Sequence, residues 1–236
     1  MPSVEPSPSA SPSPPAPNPH AAAASLLISV RLGSNPAAAK SATTLFNAIV
    51  SAHATWQSTA TLVNVVIFGP VATAGLLIGP PLDPLIRAHF PTVNNRPSPL
   101  DAAVSTAISN AWIAFCASVR VPGLPWYPAF AAVPAPIAPP MPNMPTPFIA
   151  LTSAIGLLQP GVLRPAILAQ LNFNRAAEPT IDAVLAAFNL YIQSWMARTM
   201  VTTVIGTGPV PSFAPPVNPV GPVVNGTGTM PPGGLI

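Results

Sequence analysis

Charge is what this chain lacks. Eight Lys and Arg and five Asp and Glu stand among its 236 residues, 6% of the whole. Soluble surfaces normally draw on roughly a quarter or more charged residues. The shortage argues against an ordinary freely soluble enzyme and against a coiled coil, whose flanking positions carry charge. It also argues against nucleic-acid binding through a basic patch. The net charge is +3, but the basic residues are scattered from Arg31 to Arg198 without a cluster.

Cysteine is nearly absent. Cys116 stands alone, which excludes an intramolecular disulfide framework and a cysteine-based zinc site. It lies in an apolar helical run and reads as a small buried hydrophobe. Residues 1–20 have neither a basic segment nor an apolar one, so no secretory signal peptide is expected there.

Catalytic chemistry is equally sparse. His20 lies in a proline-rich stretch, His53 on a helix face and His89 beside Arg87. Asp83, Asp101, Glu178 and Asp182 fall at turns or helix starts, where capping and the helix dipole account for them. There is no G-x-S-x-G elbow and no histidine or cysteine pair at metal-ligand spacing. Gly206-Thr207-Gly208 and Gly226-Thr227-Gly228 resemble pieces of phosphate loops, but no helix start or GK[ST] follows, so they read as turns. The expectation is a protein that is not an enzyme, with no catalytic residue, no cofactor and no metal.

What the chain has is proline and apolar surface: 37 Pro, and 50% apolar residues. That apolar share is enough for a core and excludes charge-driven disorder. Residues 1–24 form a Pro/Ser/Ala arm expected to be extended. Beyond it runs a weak internal repeat anchored by Trp56, Trp112 and Trp195. Each ends an apolar helical pattern and precedes a Val/Ile segment and a Gly/Pro turn. Val121, Gly123, Pro128 and Phe130 fall in register with Val204, Gly206, Pro211 and Phe213.

Local chemistry predicts the helices. Pro36, Pro99 and Pro179 suit first turns, and Asn35 and Ser98 are expected N-caps. Asp101 and Asp182 are expected in first turns. Leu45, Ile49, Val50 and Trp56 keep helical spacing, as do Val104, Ile108, Trp112 and Phe115, and Ile181, Leu185, Phe188, Ile192 and Trp195. Further helices are expected over about Phe148–Leu158, ending at Gln159-Pro160-Gly161, and about Pro165–Leu171. Residues 121–147 and 206–236 are too rich in proline for central strands and read as extended ribbons laid on another surface. Thr61–Leu82 has no charge and the length of a membrane span, but Gly69-Pro70 interrupts it. It reads as helix end, turn and apolar ribbon, with a membrane hairpin as the alternative.

The expected fold is therefore mainly α, with short apolar helices, extended Pro-rich ribbons and little regular sheet. Its organisation is an arm (1–24), a first helix-ribbon repeat (25–98), a second with extra helices (99–178), and a third helix with a Pro/Gly-rich ribbon (179–236). Trp56, Trp112, Trp126, Tyr127, Phe130, Trp195 and Phe213 are the expected packing and interaction residues. The function that fits is a structural subunit of a large assembly, such as a virion or phage-like particle (minor capsid, cement, tail or baseplate). Its partners would be other structural proteins, its own copies among them, and no specific nucleic acid. Its place would be a virion or a large extracellular or cytoplasmic particle. The alternative is a membrane-associated protein inserting residues 61–82.

Overall fold

The computed structural model describes residues 19–90 and 97–236. The first eighteen residues of the expected arm lie outside that range. Residues from Pro19 onward are not extended: Pro19–Leu32 form helix α1. The alanine run favours helix. Ala24, Ile28 and Leu32, four apart, are buried on one face.

Four more long helices follow: α2 (Pro36–Thr59), α4 (Pro99–Ser118), α5 (Pro160–Gln170) and α6 (Glu178–Arg198), with a short α3 (Leu82–Arg87) between α2 and α4. Both expected caps form. Asn35 Oδ1 accepts from the Ala38 N–H at 3.0 Å, and Ser98 Oγ from the Asp101 N–H at 3.2 Å. Pro36, Pro99 and Pro179 sit in first turns. Asp182 does not: Glu178 opens α6, and Asp182 stands one turn further in. Arg164 bridges the two, with Nη2 2.7 Å from Glu178 and Nε 2.8 Å from Asp182. The helix expected over 148–158 is two separate 3-10 turns, Phe148–Ala150 and Ile155–Leu158. Gln159-Pro160-Gly161 starts α5 rather than ending a helix, because proline is accommodated where no N–H bond is needed.

The expectation of little regular sheet is wrong. The fold is about 51% helix and 23% strand, with a six-stranded antiparallel sheet. Thr61–Leu82 supplies a hairpin, β1 (Thr61–Phe68) and β2 (Val71–Ile78), paired from Thr61↔Ile78 to Phe68↔Val71. Its turn is Gly69-Pro70. Gly69 has φ +54°, the sign that a two-residue hairpin turn demands at its first central position. The remaining strands are β3 (Val121–Pro125), β4 (Ile137–Pro142), β7 (Ile205–Pro209) and β8 (Gly226–Met230). A separate pair joins β5 (Thr146–Pro147) to β6 (Met200–Val201).

The strand order is β3-β2-β1-β8-β7-β4. Proline's missing donor explains the placement: β3 and β4, the strands with prolines in their interior (Pro122; Pro139 and Pro140), occupy the two edges of the sheet, and the inner strand β7 has proline only as its last residue, Pro209. The ribbon expected over 121–147 thus supplies both edge strands of the chain's own sheet, and the one expected over 206–236 supplies inner strands. The glycine-rich segments are its inner strands β7 and β8, not turns. All three proposed repeat segments contribute to this one sheet.

Candidate interaction surface

The repeat tryptophans converge. Trp56, Trp112 and Trp195 are each about 1% exposed, and their rings meet near the ends of α2, α4 and α6. Ring centroids lie 4.8 Å apart for Trp56–Trp112, 5.8 Å for Trp112–Trp195 and 6.4 Å for Trp56–Trp195. His53 is the hub of this cluster rather than a residue on an open helix face. It is fully buried, its ring 4.8 Å from Trp112 and 4.7 Å from Trp195, with Nδ1 2.9 Å from the Tyr191 hydroxyl. Gln57 completes a polar thread. Its Oε1 accepts from Trp195 Nε1 at 2.8 Å, and its Nε2 donates to the Leu235 carbonyl at 3.0 Å.

Helix ends differ among the three copies. The Ala60 N–H donates to the Trp56 carbonyl at 2.8 Å and the Thr199 N–H to the Trp195 carbonyl at 2.9 Å, and a strand begins one residue later in each. In the second copy α4 runs past Trp112 to Ser118. First and third copies therefore share the geometry, although second and third share more sequence.

Tyr127 and Phe130 form the second aromatic centre, stacked at 5.0 Å and 10° under the sheet. The Tyr127 hydroxyl donates to the Val204 carbonyl at 2.8 Å, and burial pushes the phenol's pKa up. This is why positions 206 on β7 and 228 on β8 are glycine. A Cβ at Gly206 would lie 2.6 Å from Ile67 Cδ1 and 2.8 Å from the Tyr127 ring. At Gly228 a Cβ would lie 3.1 Å from the Tyr127 hydroxyl. One glycine of each motif thus makes room for a tyrosine, while Gly208 and Gly226 let the two strands and Val223 approach each other. Trp126 is also buried, and Phe213 packs partly buried against the core. Of the seven residues expected to pack or interact, six are internal and none is openly exposed.

Sequence reading missed Asn143, which is 4% exposed. Its Nδ2 donates to the Val201 carbonyl at 3.1 Å, and its Oδ1 accepts from the Val204 N–H at 2.8 Å. One asparagine thus ties the segment after β4 to the chain entering β7. Nothing in the local pattern distinguishes it from a loop asparagine.

The surface is polarised. Among the described residues every Asp, Glu, Lys and Arg but Arg120 lies in a helical segment; Arg120 bridges to Thr152 just before β3, and the strands themselves carry none. The four ion pairs among the described residues are made by Asp83, Arg87, Arg164, Arg175, Glu178 and Asp182. On the sheet, Leu62, Val65 and Ile67 turn inward, while Val63, Val66 and Phe68 of the same strand are partly or largely exposed. Ile78, Ile205 and Ile137, on β2, β7 and β4, are 44%, 39% and 63% exposed. Apolar side chains on an uncharged sheet face water without the charged neighbours that usually surround them.

An open recess of about 230 Å³ adjoins this sheet, between the end of β2 (Leu76–Pro80) and α4 (Trp112, Ile113, Cys116, Ala117), with Trp56 below. Gly79 packs directly on Trp56, since a Cβ there would overlap the indole nitrogen. Cys116 lines the recess but is buried, and desolvation drives its thiol pKa upward.

Pro99–Ser118 is long and apolar enough to cross a membrane by length and composition, and half of its apolar window is buried within the fold. Among the described residues no group of three His, Cys, Asp or Glu gathers in one place. The chain matches no family model, no curated protein and no solved structure.

Proposed function

We propose that this chain is a structural, non-catalytic subunit of a large protein assembly, a virion or phage-like particle component, held there by its uncharged sheet. One observation carries the reading. A six-stranded sheet without a charged residue presents Phe68, Ile78, Ile137 and Ile205 to its surroundings, while the helical half keeps the charges. Interface cores are depleted in charge and enriched in such side chains. Burying that face gains roughly 25 cal/mol per Å² of apolar area before the costs of association. The partners are neighbouring structural proteins and other copies of the chain.

The prolines support this reading in a second way. At β3 and β4 they remove ladder donors from both edges, so the sheet is not extended freely by strand pairing. Contact through the face, rather than runaway edge pairing, suits a subunit with defined neighbours. Against insertion of residues 61–82 into a membrane stands their pairing on both sides, β1 with β8 and β2 with β3.

The test is to place a charge on the face. Surface substitutions of this kind usually change stability by about 0.5 kcal/mol or less. Phe68→Lys with Ile205→Lys should leave thermal unfolding close to wild type and abolish incorporation into the particle. Normal incorporation of a folded double variant would remove the proposal.

A further inference from the structure

The outward residues of the sheet fall into rows. Thr73, Val66, Thr227 and Thr207 stand directly opposite one another across β2, β1, β8 and β7. Residues directly opposite in an antiparallel pair share a face, and all four are at least partly exposed. On one side of this row Phe68 stands opposite Val71. On the other side Val63 stands opposite Leu76, and Ile205 opposite Thr229. The face is therefore sorted. β1 and β2 show mainly aliphatic and aromatic side chains, and β8 and β7 show mainly threonines.

Such a face fits a copy of itself. No strand residue is charged, so two faces meet without like charges opposed. A twofold axis laid along the row from Thr73 to Thr207 turns β1 and β2 of one copy onto β1 and β2 of the other. It likewise turns β8 and β7 onto β8 and β7. Apolar side chains then meet apolar ones, and threonines meet threonines. An axis along the strands would set apolar against hydroxyl. The area suffices. Six strands about 4.8 Å apart, at about 3.3 Å per residue, present roughly 600 Å² on each copy. A pair buries about 1,200 Å², the lower end of the range for specific interfaces. Prolines in the edge strands β3 and β4 discourage sideways extension, so the contact closes at two copies.

We infer that two copies of the chain pack sheet on sheet about a twofold axis running along Thr73, Val66, Thr227 and Thr207. The strands of the two copies cross at about 30°, as twisted sheets do when they pack aligned. Val66 and Thr227 face their own counterparts. Phe68 of each copy packs over Val63 of the other, and Val71 over Leu76. This names one partner for the face described under the proposed function and rests on that reading.

Sedimentation equilibrium of the purified full chain tests this. The wild type should be a reversible dimer across the micromolar range. Thr227→Lys and Thr227→Glu should each raise the dissociation constant at least tenfold, because two like charges meet at the axis. An equimolar mixture of the two variants should dimerise again, since Lys then meets Glu. A wild type that stays monomeric would overturn the inference. So would a mixture that stays monomeric, or single variants that dimerise as well as the wild type. If either charged variant fails to fold, Thr73→Lys and Thr73→Glu, on the same row, replace the pair with the same expected results. Particle incorporation is read separately. A monomeric wild type, with the Phe68→Lys, Ile205→Lys variant excluded from the particle, would sink the dimer and leave the assembly proposal standing. A wild-type dimer with normal incorporation of that variant would support the dimer and sink the assembly proposal.

Discussion

The indole rings of Trp56 and Trp112 meet edge to face, centroids 4.8 Å apart and planes at 89°. With Trp195 and His53 they make one aromatic centre from the ends of three helices. Truncating a buried Trp to Ala typically costs about 3–5 kcal/mol. Trp112→Ala and Trp195→Ala should each lose stability in that range in urea unfolding. Because the rings touch, the double variant should lose less than the sum. Unchanged unfolding in both single variants would contradict the central role of the cluster.

Asn143 offers a sharper polar test. Asn143→Ala leaves the Val204 N–H and the Val201 carbonyl without their side-chain partner. A buried group left unsatisfied costs about 1–3 kcal/mol. The expected loss is in that range by denaturant unfolding, with exchange rising first at residues 201–206.

Replacing Gly206 should be costly for steric reasons. Gly206→Ala places a methyl against Ile67 and Tyr127, and overpacking of this kind costs about 1–3 kcal/mol. Ile67→Val removes the Cδ1 that lies closest to it. Gly206→Ala should therefore be milder in the Ile67→Val background, read as a coupling energy in a double-mutant cycle.

Cys116 gives a pH dependence. The thiolate is the reactive form, and burial disfavours it. Thiol reagents should label Cys116 slowly in the folded chain at mildly alkaline pH and rapidly in denaturant. The folded thiol's pKa is raised above the unfolded value. Its contribution to stability is thus complete below about pH 8.5 and is lost as pH rises beyond it. Substituting Cys116→Ala should flatten the alkaline limb of stability against pH. Rapid native labelling would contradict the burial.

The helices were legible because their signals agree. Asn35-Pro36 and Ser98-Pro99 mark starts, and apolar spacing from Leu45 to Trp56 and from Ile181 to Trp195 continues them. The sheet was hidden because its strands break local preference. β3 and β4 carry prolines, tolerated at edges, and β7 and β8 carry glycines, two of which, Gly206 and Gly228, are required by Tyr127 lying across them. Both reasons are tertiary. The hairpin was the exception. Two Val/Ile/Thr/Leu-rich runs around Gly69-Pro70 carry a strand–turn–strand signal that a span-length reading of Thr61–Leu82 overrode. The four tryptophans all lie in the core. The apolar face was foreshadowed by the shortage of charge, but its location on the sheet depended on the pairing.

The most direct measurement of the central claim is where the native chain sediments. The source material would be separated on a density gradient, with and without detergent, and the chain followed by mass spectrometry. The account predicts co-sedimentation with a megadalton particle that withstands detergent. A free monomer, or flotation with lipid that detergent abolishes, would contradict it.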